Sequence, residues 1–399
     1  MVGAGIVGLA VAAEFLRRRP DLRLLVLEKE TRVGSHQSTR NSGVIHSGVY
    51  YRPGTLKARL CLEGSAAMRE FCRRESLPLL VCGKLILASE TFQLPRLEDL
   101  HQRSVANGLT DAAIVGPERL REIEPHATGL AALHVPTAAV TDYGAVTRRL
   151  AEIVATTGGE IATGARLLGL EVRGAAIVAK TTAGDVSAGC LVNCAGLHAD
   201  TVAEMAGART GLRIVPFRGE YHQLRAERRH LVRGLIYPVP DPDLPFLGAH
   251  LTTRVDGAVL GGPNAVLALG KEGYRWVDVH PGETMRMLGF GGFWRMARQH
   301  WATGVGEAVR SVSRRLFARE LQRLVPELSP ADLVDAAAGV RAQALDAAGR
   351  LVDDFVFVES AHMTHVLNVP SPAATASLAI AKMIVDRIEP RLPSSPRSP

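Results

Sequence analysis

Near its start the chain shows apolar residues at helical spacing. After Gly3, Gly5 and Gly8, the stretch IVGLAVAAEFLRRR places Ile6, Leu9, Ala10, Ala13 and Leu16 on one face. Pro20-Asp21 breaks the pattern, and LRLLVLE follows as a short continuous apolar run, the signature of a buried parallel strand. Residues 31–55 are rich in Gly, Ser, Thr and Asn and predict a loop with short extended pieces. The pattern then predicts a helix over 56–75, a strand over LLVCGKLILAS at 79–89 and a helix over 91–107. Another short helix opens at Pro117, where proline suits the first turn. Asp142 is placed to cap a helix over YGAVTRRLAEIVATTG. Several short strands with turns follow and end on the buried run CLVNCAG. Residues 211–265 are strand-rich, with Pro-Asp turns in PVPDPDLP, and 284–328 are mostly helical. AAAGVRAQALD and DDFVFVES predict strands, and SPAATASLAIAKMIVDRI a final helix.

These elements divide into two domains. Residues 1–78, 142–210 and 335–388 form a discontinuous nucleotide-binding domain, mixing α/β and α+β character. Residues 79–141 and 211–334 form an antiparallel-sheet substrate domain with a helical insertion, and 389–399 a disordered Pro/Ser-rich tail. The 399 residues suit two domains, and 47% hydrophobic content supplies sizeable cores. A net charge of +7 is spread out, without a basic stripe interleaved with aromatics, so nucleic acid is not an expected partner. No run reaches membrane-spanning length and no signal peptide is seen. The five cysteines form no C-x-x-C, which suits a reduced, cytoplasmic setting, and no metal is expected.

The G-x-G-x-x-G of Gly3, Gly5 and Gly8 gains weight from its context. Glycine loop, helix, strand and acid stand in the order an adenine dinucleotide requires. Gly3 permits the turn, Gly5 lets backbone approach a pyrophosphate, and Gly8 lets the helix pack closely. Glu28, twenty residues after Gly8, can accept ribose hydroxyls and would repel a 2′-phosphate, which disfavours NADP; Lys29 follows it. Only Met1 and Val2 precede the loop, so the central strand looks truncated. The expectation is that neighbours such as LRLLVLE lose ladder partners.

The strings HQSTRNSGVIHSGVYYRPGTLKARLC, VNCAGLHAD, PFRGEYHQL, GPNAVLA, GVRAQA and NVPSPAATASLAI resemble the L-2-hydroxyglutarate dehydrogenase/oxidase family. That family lies within the FAD-dependent oxidoreductases related to D-amino acid oxidase. The likeness runs from Gly3 to about Arg387. It implies a Rossmann-like FAD-binding fold and a flavoprotein that oxidises a small 2-hydroxy acid, with quinone or oxygen as electron acceptor. The resemblance places Thr39, Arg40, Asn41, Ser42 and Gly43 near the flavin, Leu167 near adenine, and Gly196 at the cofactor. It also brings the small residues Pro370, Ser371, Ala373, Ala374 and Thr375 to the flavin at a helix start.

Oxidising a 2-hydroxy acid needs a base, a hydride acceptor and a cation for the carboxylate. His46 in NSGVIHSG and His250 in FLGAHLT are the two candidate bases, and a covalent flavin link through His46 stays open. Arg341, on an apolar strand, is costly to bury without a partner, and its planar fork matches a carboxylate. Arg218, Tyr237 and Asn264 are candidates for a second substrate contact, with a structural Arg218–Glu220 pair as the alternative. The segment MRMLGFGGFWRMARQHW mixes large apolar residues with arginines. It serves either as a helix packed on the substrate domain or as a peripheral membrane contact on the cytoplasmic side. Rival readings are an amine or amino-acid oxidase of the same fold and a non-catalytic FAD-binding protein; an NAD-dependent dehydrogenase fits only the glycine loop.

Overall fold

A computed structural model describes residues 1–174, 176–241 and 248–392, without the side chains of 302, 303, 310 and 312. The predicted Pro-Asp turn in PVPDPDLP and residues 393–399 of the tail lie largely outside these. Residues Glu389–Arg391, expected in the disordered tail, instead form a 3-10 turn. Arg18 holds Glu389, and Arg391 reaches Thr364 Oγ1 at 3.0 Å.

The nucleotide-binding half is built on parallel strands. Leu25–Leu27 pairs with Glu160–Ala162, and Leu191–Asn193 pairs with Met363–Asn368, both in parallel. Val2 stands between the two pairs, bridging Leu27 on one side and Asn193 on the other. This corrects the expectation of lost ladder partners. Val2 N donates to Val192 O at 2.9 Å and Cys194 N to Val2 O at 2.8 Å. Gly3 N donates to Leu27 O and Leu27 N to Met1 O, each at 2.8 Å. The ladder is therefore complete where the glycine loop leaves the sheet. Helices Ile6–Arg18, Leu56–Arg74, Tyr143–Thr156 and Ser377–Ile388 bury their apolar stripes together, with Leu9, Phe15, Met68, Leu150 and Ile384 at the centre. Asp142 caps its helix as expected, accepting from Gly144 N at 2.8 Å.

The second half carries an eight-stranded mixed sheet. Its strand order is 333–335, 222–224, 259–262, 250–253, 235–238, 84–88, 131–135 and 113–115. One face packs Leu85, Leu87, Ile236 and Leu251 against Phe317 and Leu321. Strand register has a period of two. Leu235 lies opposite Lys84, Tyr237 opposite Ile86, and Ile236 opposite Leu251. Lys84, Tyr237 and His250 therefore share the other face.

Three expectations change. The run at 79–89 is two strands, Leu79–Val81 and Lys84–Ala88, because the chain turns at Gly83 and the strands join different sheets. The boundary at 334/335 cuts through a sheet, since Gly339–Asp346 pairs along its whole length with Leu212–Gly219. The final helix begins at Ser377 rather than near Ser371, and residues 373–376 form a turn before it.

Candidate active site

The glycine loop opens onto a cavity of about 430 Å³. Gly3 has φ +101°, and a Cβ there would meet Cys194 O at 2.6 Å. A Cβ at Gly8 would run into the Gly3 carbonyl oxygen. Loop, helix and the strand end at Cys194 thus pack with no room for side chains. Gly5 is the N-cap and supplies no side-chain oxygen, so the helix N-terminus faces the cavity with its positive dipole end.

At one end of the cavity Glu28 is only 8% exposed. Its Oε2 accepts from Ala4 N at 2.8 Å and its Oε1 from Glu30 N at 2.9 Å. A carboxylate offers about four lone-pair positions, which leaves two for ribose hydroxyls. Lys29, Leu167, Gly196, Ala373 and Ala374 also line the cavity, as expected. The cavity thus extends from the end of the Leu25–Leu27 strand to the turn before the last helix, an elongated shape suited to a dinucleotide.

Other expected cofactor residues make contacts within the protein. Thr39, Arg40, Asn41, Ser42, Gly43, Pro370, Ser371 and Thr375 do not line this cavity. Thr39 Oγ1 donates to Gly34 O at 2.7 Å, and Asn41 Nδ2 donates to Gln37 O at 2.9 Å while its Oδ1 accepts from Gly43 N. These bonds fold the loop upon itself. Arg40 stacks 4.0 Å from the centre of the Tyr274 ring. Thr375 is buried; its Oγ1 accepts from His46 N at 3.1 Å and meets Tyr143 OH at 3.0 Å. It thereby fixes His46 against the turn whose Ala373 and Ala374 line the cavity.

Sequence reasoning passed over several lining residues. Ser38 Oγ accepts from Ile6 N at 2.9 Å, taking one of the orphan donors of the helix start. A segment around Leu269–Glu283 lies along the cavity: His198 Nε2 meets Glu272 Oε1 at 2.8 Å, and Lys29 Nζ meets the same oxygen at 2.5 Å. Burial would raise the Glu272 carboxyl, but the hydrogen bonds from His198 and Lys29 and the Lys29 charge hold it well below its ordinary range. Glu30, His36 and Glu272 converge closely enough to hold a metal, and Lys29 already pairs with both carboxylates. The signal for Ser38 and His36 lay in the string HQST, just before the residues singled out.

The second cluster gathers around His250, which is 5% exposed. Its ring stacks on Tyr237, with centroids 4.0 Å apart and planes 23° apart. Nδ1 lies 2.9 Å from Gly248 O. A carbonyl can only accept, so Nδ1 carries the proton and Nε2 presents its lone pair. Burial lowers its pKa to about 3, the Gly248 carbonyl opposes this, and Lys84, Arg341 and His46 add to the fall. His46 is likewise lowered to about 3 by burial, then by Lys84 and Lys57. Arg341 is lowered by burial, with Tyr221 and Glu307 opposing. The structure therefore brings His250, His46, Tyr237 and Arg341 into one electrostatic neighbourhood. Lys84, not singled out from the sequence, belongs to it.

Two substrate candidates stand apart. Arg218 is buried against Glu220, with Nε to Oε1 at 3.1 Å, and stacks 4.4 Å from the centre of the Trp276 ring. Asn264 is spent on the same glutamate: its Oδ1 accepts from Glu220 N at 2.8 Å and its Nδ2 donates to Oε2 at 3.2 Å. The structural-pair alternative describes Arg218, and Asn264 braces that pair.

Comparison with known proteins agrees with this geometry. A family model described as FAD dependent oxidoreductase matches residues 1–387. The chain is 43% identical to the L-2-hydroxyglutarate dehydrogenase of Indibacter alkaliphilus, over 97% of each protein. It is 40% identical to the mitochondrial L-2-hydroxyglutarate dehydrogenase of Homo sapiens, over 98% of this chain and 88% of that one. Among solved structures, FAD-bound L-alpha-glycerophosphate oxidase from Mycoplasma pneumoniae superposes with a TM-score of 0.79 at 21% identity, covering 97% of this chain and 93% of that one. Glycine oxidase from Geobacillus kaustophilus gives 0.73 at 18%, covering 98% and 94%.

Proposed function

The chain belongs to the family of FAD dependent oxidoreductases, and from that premise we propose that it oxidises L-2-hydroxyglutarate to 2-oxoglutarate. FAD is its cofactor. Gly3, Gly5, Gly8, Glu28 and Ser38 suit the adenosine and pyrophosphate end, and Ala373 and Ala374 the flavin end, because they line the cavity from the glycine loop to the turn before the last helix. FAD, when bound, supplies the acceptor for the hydride leaving C2 of the substrate.

The observation that carries the reading is a buried histidine whose Nδ1 is held by the Gly248 carbonyl and whose ring is stacked on Tyr237, leaving Nε2 free to take a proton. In this reading Arg341 binds the carboxylate next to the hydroxyl through its planar fork. That contact orients the hydroxyl toward His250, whose Nε2 takes the proton. Tyr237 stacks on the ring and holds its plane. Binding the carboxylate also offsets the cationic field that weakens the imidazole, so substrate binding strengthens the base. His46 is anchored through its backbone N–H to Thr375 Oγ1 and stands as the alternative base.

We propose quinone or oxygen as the acceptor that reoxidises the enzyme. Among the described residues no helix is long and apolar enough to cross a membrane. Helices Pro281–Leu288 and Gly291–Val312 bury Met287, Phe293 and Met296 against Val215 and Leu345, as the core-packing alternative requires. Met285, Leu288, Trp294 and Trp301 nevertheless remain exposed beside Arg286 and Arg298. This mixture supports a peripheral membrane contact, which we place by proposal on the cytoplasmic side.

The test is anaerobic bleaching of the purified flavoprotein. L-2-Hydroxyglutarate should bleach it, and the D-enantiomer, glycine and D-alanine should not. Bleaching by an amine or amino acid alone would transfer the chain to the amine-oxidase reading. Stable colour with every donor would favour a non-catalytic FAD-binding protein.

A further inference from the structure

We propose that Lys84 binds the carboxylate of the substrate remote from the hydroxyl-bearing carbon, and so selects dicarboxylic over monocarboxylic 2-hydroxy acids. The proposal rests on the reading of the site as a 2-hydroxy-acid oxidising centre.

Lys84 opens a strand in which all five residues are buried, and is itself 4% exposed. Lysine is almost never buried so deeply unless it is paired. Among the described residues Lys84 enters no ion pair. Its Nζ faces two aromatic rings instead, 3.8 Å from the centroid of Tyr237 and 4.5 Å from that of Tyr50. Ring faces attract an ammonium, but more weakly than the water it has lost. Burial accordingly lowers its pKa to about 7. The Tyr50 hydroxyl is also buried and without a hydrogen-bond partner. An ammonium without an ion pair and a phenol without a hydrogen-bond partner, both in the same aromatic corner, are the donors an anion would need.

Position supplies the rest of the argument. Lys84 shares a sheet face with Tyr237 and His250, and Tyr237 packs against both. Lys84 and Arg341 each bear on His250 as cations, so the base lies in the field of two positive groups. A monocarboxylate would satisfy only one of them. A dicarboxylate with its alcohol next to one acid group can place that group at Arg341 and the other at Lys84. Lysine is the apt residue for the remote acid, since a point charge tolerates a flexible ligand end, whereas the reacting end needs the fixed fork of arginine.

The experiment compares L-2-hydroxyglutarate with L-2-hydroxypentanoate, which has the same chain length and a methyl group in place of the remote carboxylate. The wild-type holoenzyme should favour the diacid in kcat/KM by at least about 100-fold. In Lys84→Met that preference should fall by about 100-fold, mainly through a rise in KM for the diacid. Removing an unpaired buried charge should leave the fold intact. Lys84→Gln provides a second variant, and the dissociation constants of glutarate and pentanoate, read from perturbation of the flavin spectrum, give a measurement without turnover. Glutarate should lose affinity in both variants and pentanoate should not. An unchanged preference, or equal losses on both acids, would overturn the assignment. A wild-type enzyme bleached by neither hydroxy acid would instead remove the functional reading beneath it.

Discussion

Replacing His250 by asparagine tests the base assignment directly. The wild-type imidazole falls from its ordinary 6.5 to about 3 through burial first and the surrounding cations second. That fall corresponds to about 5 kcal/mol between the two protonation states. In the free enzyme Nε2 therefore keeps its lone pair across the physiological range, and kcat/KM should show no break between pH 5 and 6.5. In the substrate complex the carboxylate at Arg341 removes part of the opposing field, so the acid limb of kcat should lie at higher pH than that of kcat/KM. His250→Asn keeps a polar group of similar reach but cannot accept the proton, and kcat should fall about 10²- to 10⁴-fold. The assay is anaerobic stopped-flow reduction of the flavin across pH 4.5–8, with the oxidised spectrum as a control for cofactor placement. Reduction at the wild-type rate in the variant would refute the assignment. A wild-type break near pH 6.5 in kcat/KM would refute the electrostatic account, since it would describe a solvated imidazole.

Gly8→Ala should yield a folded protein that purifies with little flavin, because its Cβ meets the Gly3 carbonyl and pushes the helix start off the loop; a full flavin complement would show that the close approach is dispensable. Acid should destabilise the fold through His46 and His250. Their folded-state pKa values lie near 3, below the unfolded 6.5, so their contribution is full above pH 6.5 and is lost as pH falls toward 3. Melting temperature should decline between pH 6.5 and 4.5, and the decline should be shallower in His250→Asn; a flat profile in the wild type would contradict it.

Where sequence and structure agree, the information is local. The glycine loop, its helix and Glu28 form one continuous strand-turn-helix-strand unit, and each part constrains the next. The Asp142 cap needs only the helix it starts. Where they part, the deciding fact is remote. Nothing in LLVCGKLILAS marks Cys82–Gly83 as the place where the chain passes from one sheet to another. MTHVLN is buried throughout although it carries threonine, histidine and asparagine, because both faces of that strand are covered. The loop over Thr39–Gly43 resembles a flavin-contacting segment, yet much of its polar capacity is spent on holding its own turn.

Lys84 shows the limit most clearly. The reasoning that singled out Arg341, a charge on an apolar strand, applies equally to the lysine of GKLILA. A lysine at the first residue of a strand ordinarily turns to solvent, and the glycine turn before it leaves that freedom open in the sequence. Burial becomes visible only through pairing: Lys84 lies beside Leu235 in a parallel register, and the strand at 235 pairs with the one at 250 in an antiparallel register. Because side chains alternate with a period of two, those two registers alone decide that Lys84, Tyr237 and His250 face the same way. A slip of one residue in either would send the lysine or the histidine into the opposite core, among Leu85, Ile236 and Leu251. The site is therefore a property of strand pairing between residues as far apart as Lys84 and His250, and the apolar core on the far face, by fixing that register, aims the charges on the near one.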